Sequence, residues 1–287
     1  MKCIDRDGNE IDQNETQNKV LSFLYQTRPG RCLLSILIRP WVSKITGFFL
    51  NLPVSRWMIG PFVRKNDIDL SQYEDREYCS YNDFFTRRIK EGARKIDEQR
   101  DHLIAPCDSK LSVYTIEEDA RFCIKDTLYS MDSLLRSKKL ASRYEGGQLL
   151  VFRLTVDDYH RFCYVDDGVK TRNYHIPGVF HTVNPLANDV YPIYKENTRE
   201  FSILKSENFG KMLIMEVGAL LVGKIVNYHE KTKVIRGQEK GRFEFGGSTI
   251  ILCLEKGRAL IDSDILNNSA NGIETVVKMG ERIGMKQ

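Results

Sequence analysis

The sequence predicts an α+β protein: a β-rich body with short helices, preceded by amphipathic helices at its N-terminal end. Three observations carry this. Apolar residues recur at helical three- and four-residue steps between Leu33 and Leu50, the strongest later segments are short and β-like, and no repeat of fixed period or low-complexity tract interrupts them. At 287 residues the chain can fill one large domain with a proper core.

In the N-terminal part, Leu34, Leu37, Ile38, Trp41, Val42, Ile45, Phe48 and Phe49 share one side, and Ser35, Arg39, Ser43 and Lys44 fall on the other. Pro40 suits the opening of a second helix, where its missing N–H does no harm. Trp57 to Val63 continue the apolar character past Pro53. Two readings stand: helices that cover the body's core, or an interfacial pair lying in the headgroup layer of a membrane. One apolar stripe can serve both. No run reaches the roughly eighteen apolar residues of a spanning helix, since Arg39, Pro40 and Lys44 break the best candidate.

The texture changes near residues 70–78, which divides the chain into an N-terminal helical, membrane-associating region (1–75) and a body (76–287). Ser80-Tyr81-Asn82-Asp83 reads as a capping box that starts a helix carrying Phe84 and Phe85. Ser130 begins a short helix over Met131 to Lys138. Strands are predicted over Leu149 to Val156, Lys211 to Val217, Leu220 to Val226 and Thr249 to Leu254. Asp166-Asp167-Gly168 has the composition of a turn between two strands, and Asp157, Asp158, Asp166 and Asp167 read as solvated or turn-forming.

Composition narrows the function classes. Lys and Arg together number 43 against 39 Asp and Glu, a net +4 that is too mild to argue for nucleic acid. The seven cysteines are scattered without a CxxC pair, which fits reduced thiols in a cytoplasm and does not call for a disulfide scaffold. The first thirty residues are polar and charged, unlike a secretory signal. His102, His175 and His229 lack the spacing of a metal site, so no metal is expected.

The segment with chemical character is Phe245-Gly246-Gly247-Ser248-Thr249, which runs directly into the apolar Ile250 to Leu254. Alone it is an ordinary Gly-rich turn. Its company gives it weight: Tyr159-His160-Arg161 follows a strand-like run, and Ala105-Pro106-Cys107-Asp108 sets a carboxylate on a turn. An Asp, a His and a Ser are thereby available.

At this point the sequence resembles the phosphatidylserine decarboxylase proenzyme family, from about Tyr81 to Glu281. Phe84-Phe85-Thr86-Arg87 resembles the family's FFTR segment, Pro106-Cys107-Asp108 its Pro-x-Asp element, and Asp158-Tyr159-His160-Arg161-Phe162 its DYHR segment. Thr182-Val183-Asn184-Pro185 matches TVNP, and Asn197-Thr198-Arg199 matches Asn-x-Arg. Val217-Gly218-Ala219 with Val222-Gly223-Lys224-Ile225, and Lys240-Gly241 through Ser248-Thr249, complete an ordered set.

The resemblance implies self-cleavage between Gly247 and Ser248 into a large chain (1–247) and a small chain (248–287) that stay associated. Ser248 would become a covalent pyruvoyl group, the cofactor, with Asp108 and His160 acting on its hydroxyl. The ketone would form a Schiff base with the amine of phosphatidylserine and release CO2 to give phosphatidylethanolamine. Tyr159 is a candidate for substrate contact, the N-terminal helices for contact with the cytoplasmic side of a membrane, and a homodimer stays open.

Elementary chemistry supports these roles. A serine hydroxyl needs a neighbouring base to take its proton, imidazole titrates near neutrality, and a carboxylate such as Asp108 can fix its tautomer. Gly246 and Gly247, lacking Cβ, allow the unusual backbone angles that attack on the Gly247 carbonyl requires. The chain departs from the family in two places. Cys163 stands where many members carry a second histidine, which leaves His160 to serve twice or to recruit another group, with His181 the candidate. Cys163 is a possible auxiliary residue, although its neighbourhood suits a small buried hydrophobe. Ser109 replaces a glycine that often follows the motif aspartate, a change of little consequence. Two other functions compete: a non-catalytic, membrane-associated lipid-binding relative, and a pyruvoyl enzyme acting on a soluble amino acid.

Overall fold

The computed structural model describes residues 2–11, 15–124, 127–188, 190–220, 224–245 and 248–287. The chain is α+β, and its body is organised by an eleven-stranded sheet. At the centre of that sheet, strands Arg199–Ser206, Lys211–Val217, Thr249–Leu254, Gln148–Arg153 and Ser109–Thr115 lie side by side, each antiparallel to the next.

Thr249–Leu254 and Gln148–Arg153, the middle strands of this set, read as nearly unbroken apolar runs because both faces of the sheet are covered there. Along Thr249–Leu254, Ile250, Leu252 and Leu254 enter one hydrophobic core, and Ile251 and Cys253 enter the other. Gln148–Arg153 divides likewise, with Leu150 and Phe152 on the first side and Leu149 and Val151 on the second. Burying one such side chain contributes roughly 1.5–3 kcal/mol. The strand that follows Ser248 is therefore among the hardest in the molecule to move.

A smaller three-stranded sheet places Glu239–Glu244 between Lys224–Asn227 and Arg161–Cys163. A fully buried ion pair ties it to the large sheet: Lys240 Nζ lies 2.7 Å from Glu216 Oε1 on Lys211–Val217. Burial alone pushes the Glu216 carboxyl up, and Lys240 pulls it back.

The N-terminal residues form helices α1 (Glu15–Gln26), α2 (Arg28–Leu37) and α3 (Pro40–Leu50), a 3-10 turn (Pro53–Met58) and α4 (Ile59–Lys65). Pro40 opens α3 as its ring geometry favours. Leu21, Leu24, Tyr25 and Leu34 pack into the second core, and strand Cys3–Ile4 pairs in parallel with Glu274–Val277, so residues before 76 complete the body. Helix α3 buries Ser43 and Leu50 and leaves Lys44 exposed, while Trp41, Ile45 and Phe48 are 56%, 61% and 70% exposed. No single described helix is long and apolar enough to cross a membrane.

Helix α5 (Tyr81–Phe85) starts as the capping box predicts, Ser80 Oγ accepting from the Asp83 N–H. Three expectations need correction. The helix from Met131 ends at Leu135, because Arg136 adopts a left-handed conformation (φ 52°) and Ser137 caps a new helix, Lys138–Ala141. The strand from residue 148 stops at Arg153, where Thr155 and Asp158 close a turn. Asp158 and Asp166 are buried rather than solvated: Lys110 Nζ meets Asp158 at 2.7 Å and Arg236 meets Asp166 at 3.2 Å. Of the expected strand from Leu220, Lys224–Asn227 is formed, and residues 221–223 lie outside the described residues.

Candidate active site

Ser248 enters the site from the end of the central strand. Its carbonyl accepts from the Leu154 N–H at 2.8 Å, and Thr249 is paired with Val217 on one side and Arg153 on the other. Ser248 is fully buried and its Oγ has no hydrogen-bond partner among the described residues. Gly246 and Gly247, the glycine half of the expected cleavage site, lie outside the described residues, as do Val222 and Gly223. Phe245, just before them, is held at φ 38° and packs its ring against Phe85 and Tyr81. For a residue with a Cβ this left-handed backbone costs roughly 1–2 kcal/mol.

His160 reaches the same end of the body by a different route. The turn after Gln148–Arg153 carries it to the edge of Glu239–Glu244, where its carbonyl accepts from the Phe243 N–H at 2.9 Å. Its Nδ1 faces the Asp158 carbonyl at 2.9 Å. A carbonyl only accepts, so Nδ1 carries the proton and Nε2 is left as the acceptor. That Nε2 is buried and without a partner among the described residues. The ring lies 4.2 Å from that of Phe85. Burial lowers its pKa to about 4, which keeps the imidazole neutral.

The orienting group is therefore the Asp158 main chain, not the Asp108 carboxylate. Asp108 Oδ2 is bound to Arg94 at 2.5 Å, and its Oδ1 accepts from the Met279 N–H at 2.8 Å. An arginine partner satisfies a buried carboxylate better than a neutral ring does. The Asp158 side chain turns the other way, to Lys110 and Thr155. Burial would raise its pKa, and Lys110 more than offsets this, leaving it lowered.

The remaining candidates serve other contacts. His181 is buried, with Nδ1 3.2 Å from Tyr25 Oη and Nε2 3.5 Å from Glu196. Its ring stacks on Tyr191, and burial lowers its pKa to about 4. Neither of its nitrogens meets Ser248 or His160. Tyr159 accepts from the Ile89 N–H and packs on Tyr73, so it ties the loop after α5 to the turn carrying His160. Cys163 is buried, and burial pushes its thiol up to about 12. Its N–H donates to the Pro106 carbonyl, beside the turn that carries Asp108.

Residues outside the expected set do much of the positioning. Arg161 donates to the Thr86 and Arg87 carbonyls and pairs with Glu239 at 2.5 Å, clamping α5 to both neighbouring strands. Asn197 accepts from the His181 N–H and donates to the carbonyls of His181 and Gly218, fixing the chain just past Val217. Phe85 joins the His160 ring to Phe245, the residue just before the expected cleavage site. No group of His, Cys, Asp and Glu side chains able to hold a metal ion occurs among the described residues.

Comparison with known proteins agrees with this convergence. The family described as phosphatidylserine decarboxylase matches residues 81–285. The chain belongs to the phosphatidylserine decarboxylase family. It is 48% identical to phosphatidylserine decarboxylase proenzyme 2 of Clostridium acetobutylicum over 283 residues, 98% of this chain and 97% of the relative. It is 41% identical to the Clostridium tetani phosphatidylserine decarboxylase proenzyme and 40% to that of Desulfitobacterium hafniense, covering 93% of this chain and 92% of the relative in both cases. Within this decarboxylase family the FFTR segment has a visible purpose here: Phe85 backs the His160 ring and Arg87 stacks over Tyr73.

Proposed function

We propose that the chain is a phosphatidylserine decarboxylase that cleaves itself between Gly247 and Ser248, retains Ser248 as a pyruvoyl group, and works at the cytoplasmic surface of a membrane. The observation that carries this is that Ser248 Oγ and His160 Nε2 are each fully buried and each without a hydrogen-bond partner among the described residues. Buried polar atoms nearly always find partners, and these two are the donor and acceptor that an acid–base step requires.

His160 Nε2 takes the Ser248 hydroxyl proton as Oγ adds to the Gly247 carbonyl, which converts the amide to an ester. Loss of the Ser248 α-proton then expels the Gly247 carboxylate and leaves a dehydroalanine, whose hydrolysis releases ammonia and leaves a ketone. The site fits the product. The hydrogen bond from Leu154 and the pairing of Thr249 on both sides hold the new chain start where the serine was. A ketone there supplies an electron sink for loss of CO2 from a serine head group. His160 would hold or return a proton beside it, and Phe85 shields the ring from water.

The membrane assignment is supported by Trp41, Ile45, Phe48 and Trp57, each more than half exposed. The same N-terminal segment contributes Leu50, Met58, Ile59 and Phe62 to the cluster that contains Phe85 and Phe245. The apolar surface and the site thus share one wall.

Intact-mass spectrometry of wild type beside Ser248→Ala tests the reading. Two fragments split before residue 248, the smaller beginning with pyruvoyl, are expected in wild type only. A single full-length wild-type chain in the presence of lipid would refute it.

A further inference from the structure

A cavity of about 420 Å³ lies between α3, α5 and the end of the strand Glu239–Glu244. Ser43, Lys44 and Phe48 line it from α3, Asn82 from α5, Lys224 and Glu244 from two neighbouring strands, and Phe245 from the residue just past Glu244. It therefore opens between the exposed apolar side of α3 and the residue that precedes the cleaved loop.

Two of its walls carry polar atoms that nothing satisfies. Ser43 is 1% exposed and Asn82 7%, and Ser43 Oγ and Asn82 Oδ1 have no partner among the described residues. The orientation of Asn82 is set by its amide donating to Asn51 Oδ1, whose own amide donates to the Gly47 carbonyl. A helix that buries a serine hydroxyl without a partner forgoes the stabilisation of a hydrogen bond, which is rare unless a ligand supplies the partner.

The lining charge is positive. Lys44 has no acidic partner among the described residues, and Lys224 lies 3.1 Å from Glu244, the one carboxylate of the lining. Lys44 and Lys224 thus outnumber Glu244. A site with two lysines, a hydroxyl donor and an apolar lip at Phe48 matches a phosphodiester whose acyl chains remain outside.

We propose that this cavity binds the phosphodiester of the phospholipid substrate, with Lys44 and Lys224 on the phosphate and Ser43 as hydroxyl donor. The chains then lie along Trp41, Ile45 and Phe48 while the serine end extends past Phe245 toward residue 248. This inference rests on the proposed function, and it assigns head-group affinity to residues that take no part in self-cleavage.

The test uses Lys44→Gln/Lys224→Gln in two backgrounds. In the active background, mass spectrometry first establishes that processing is complete. Then KM for phosphatidylserine in mixed micelles is expected to rise about tenfold or more, the size of one charge-assisted contact, with kcat held within about threefold. In the uncleaved Ser248→Ala background, flotation compares phosphatidylcholine vesicles with vesicles containing phosphatidylserine. The increment due to phosphatidylserine is expected to vanish in the double variant while binding to phosphatidylcholine is retained, and Lys44→Arg/Lys224→Arg is expected to restore it. Glycerophosphoserine, the same phosphodiester without acyl chains, should inhibit wild type and not the double variant. An unchanged KM with unchanged inhibition, or equal loss of binding to both vesicle types, overturns the site. Failure of wild type to process is a separate result that overturns the function instead.

Discussion

The protonation state of His160 allows a numerical test of the self-cleavage chemistry. An ordinary histidine titrates near 6.5, and burial against Phe85 lowers this one to about 4. At pH 5.5 a base with a pKa of about 4 is about 97% neutral, whereas one at 6.5 is about 9% neutral. The two cases differ about tenfold in rate. Precursor from a brief cell-free synthesis would be chased at pH 5.5, 6.5 and 7.5 and the 248–287 fragment followed by mass. Nearly equal rates at the three values are expected. A rate that halves near 6.5 would refute the burial argument, since His160 would then titrate as if exposed.

The same shift links to stability, with a definite sign. The unfolded chain binds a proton below about 6.5 and the folded chain only below about 4, so the stabilisation present above 6.5 is lost as pH falls through that window. The full loss is on the order of 3 kcal/mol. His181, lowered to about 4 by burial, adds in the same direction. Circular dichroism at pH 5.5 should accompany the chase, to confirm that the precursor is folded while the rate is read.

Two further outcomes follow from buried chemistry elsewhere. Lys240→Met leaves the Glu216 carboxylate unpaired in the core and is expected to cost about 3–5 kcal/mol in urea unfolding, with Lys240→Met/Glu216→Leu recovering most of it; equal losses in the single and double variants would show that the pair does not carry the effect. Iodoacetamide on the native protein should label the exposed Cys32, Cys79 and Cys123 and spare Cys163, whose thiol burial holds at about 12. Rapid labelling of Cys163 would return it to the list of reactive groups.

What was legible in the sequence is what has a side-chain signature. Thr249 to Leu254 reads as a buried strand because all six positions are apolar or β-branched, and it is buried on both faces for that reason. Ser80, Pro40 and Ser130 announce helix starts through capping chemistry that acts within one turn. The partner of His160 could not be read, since it is a main-chain carbonyl and any residue supplies one. Asp158 is buried although an aspartate after a strand usually meets water. Its burial depends on Lys110, forty-eight positions away and brought beside it by the pairing of Ser109–Thr115 with Gln148–Arg153. The left-handed backbone at Arg136 and Phe245 had no local cue either, because neither residue favours it.

One histidine can hold a single protonation form through its main-chain partner. A carboxylate partner would stabilise the imidazolium and raise the pKa of His160, whereas the Asp158 carbonyl fixes the tautomer and leaves the ring neutral. The result is a weak base that is always in the form needed to accept a proton. Its efficiency would rest on position and on a constantly neutral form rather than on basicity. Asp108, bound to Arg94 and to the Met279 amide, then ties the turn before Ser109–Thr115 to the C-terminal segment. Its loss should therefore disturb His160 through the frame that positions it, and not through its protonation. Asp108→Asn is expected to slow cleavage while leaving the flat pH profile intact, and a wild-type rate that falls below about pH 6.5 but becomes flat in Asp108→Asn would return Asp108 to the place beside the ring.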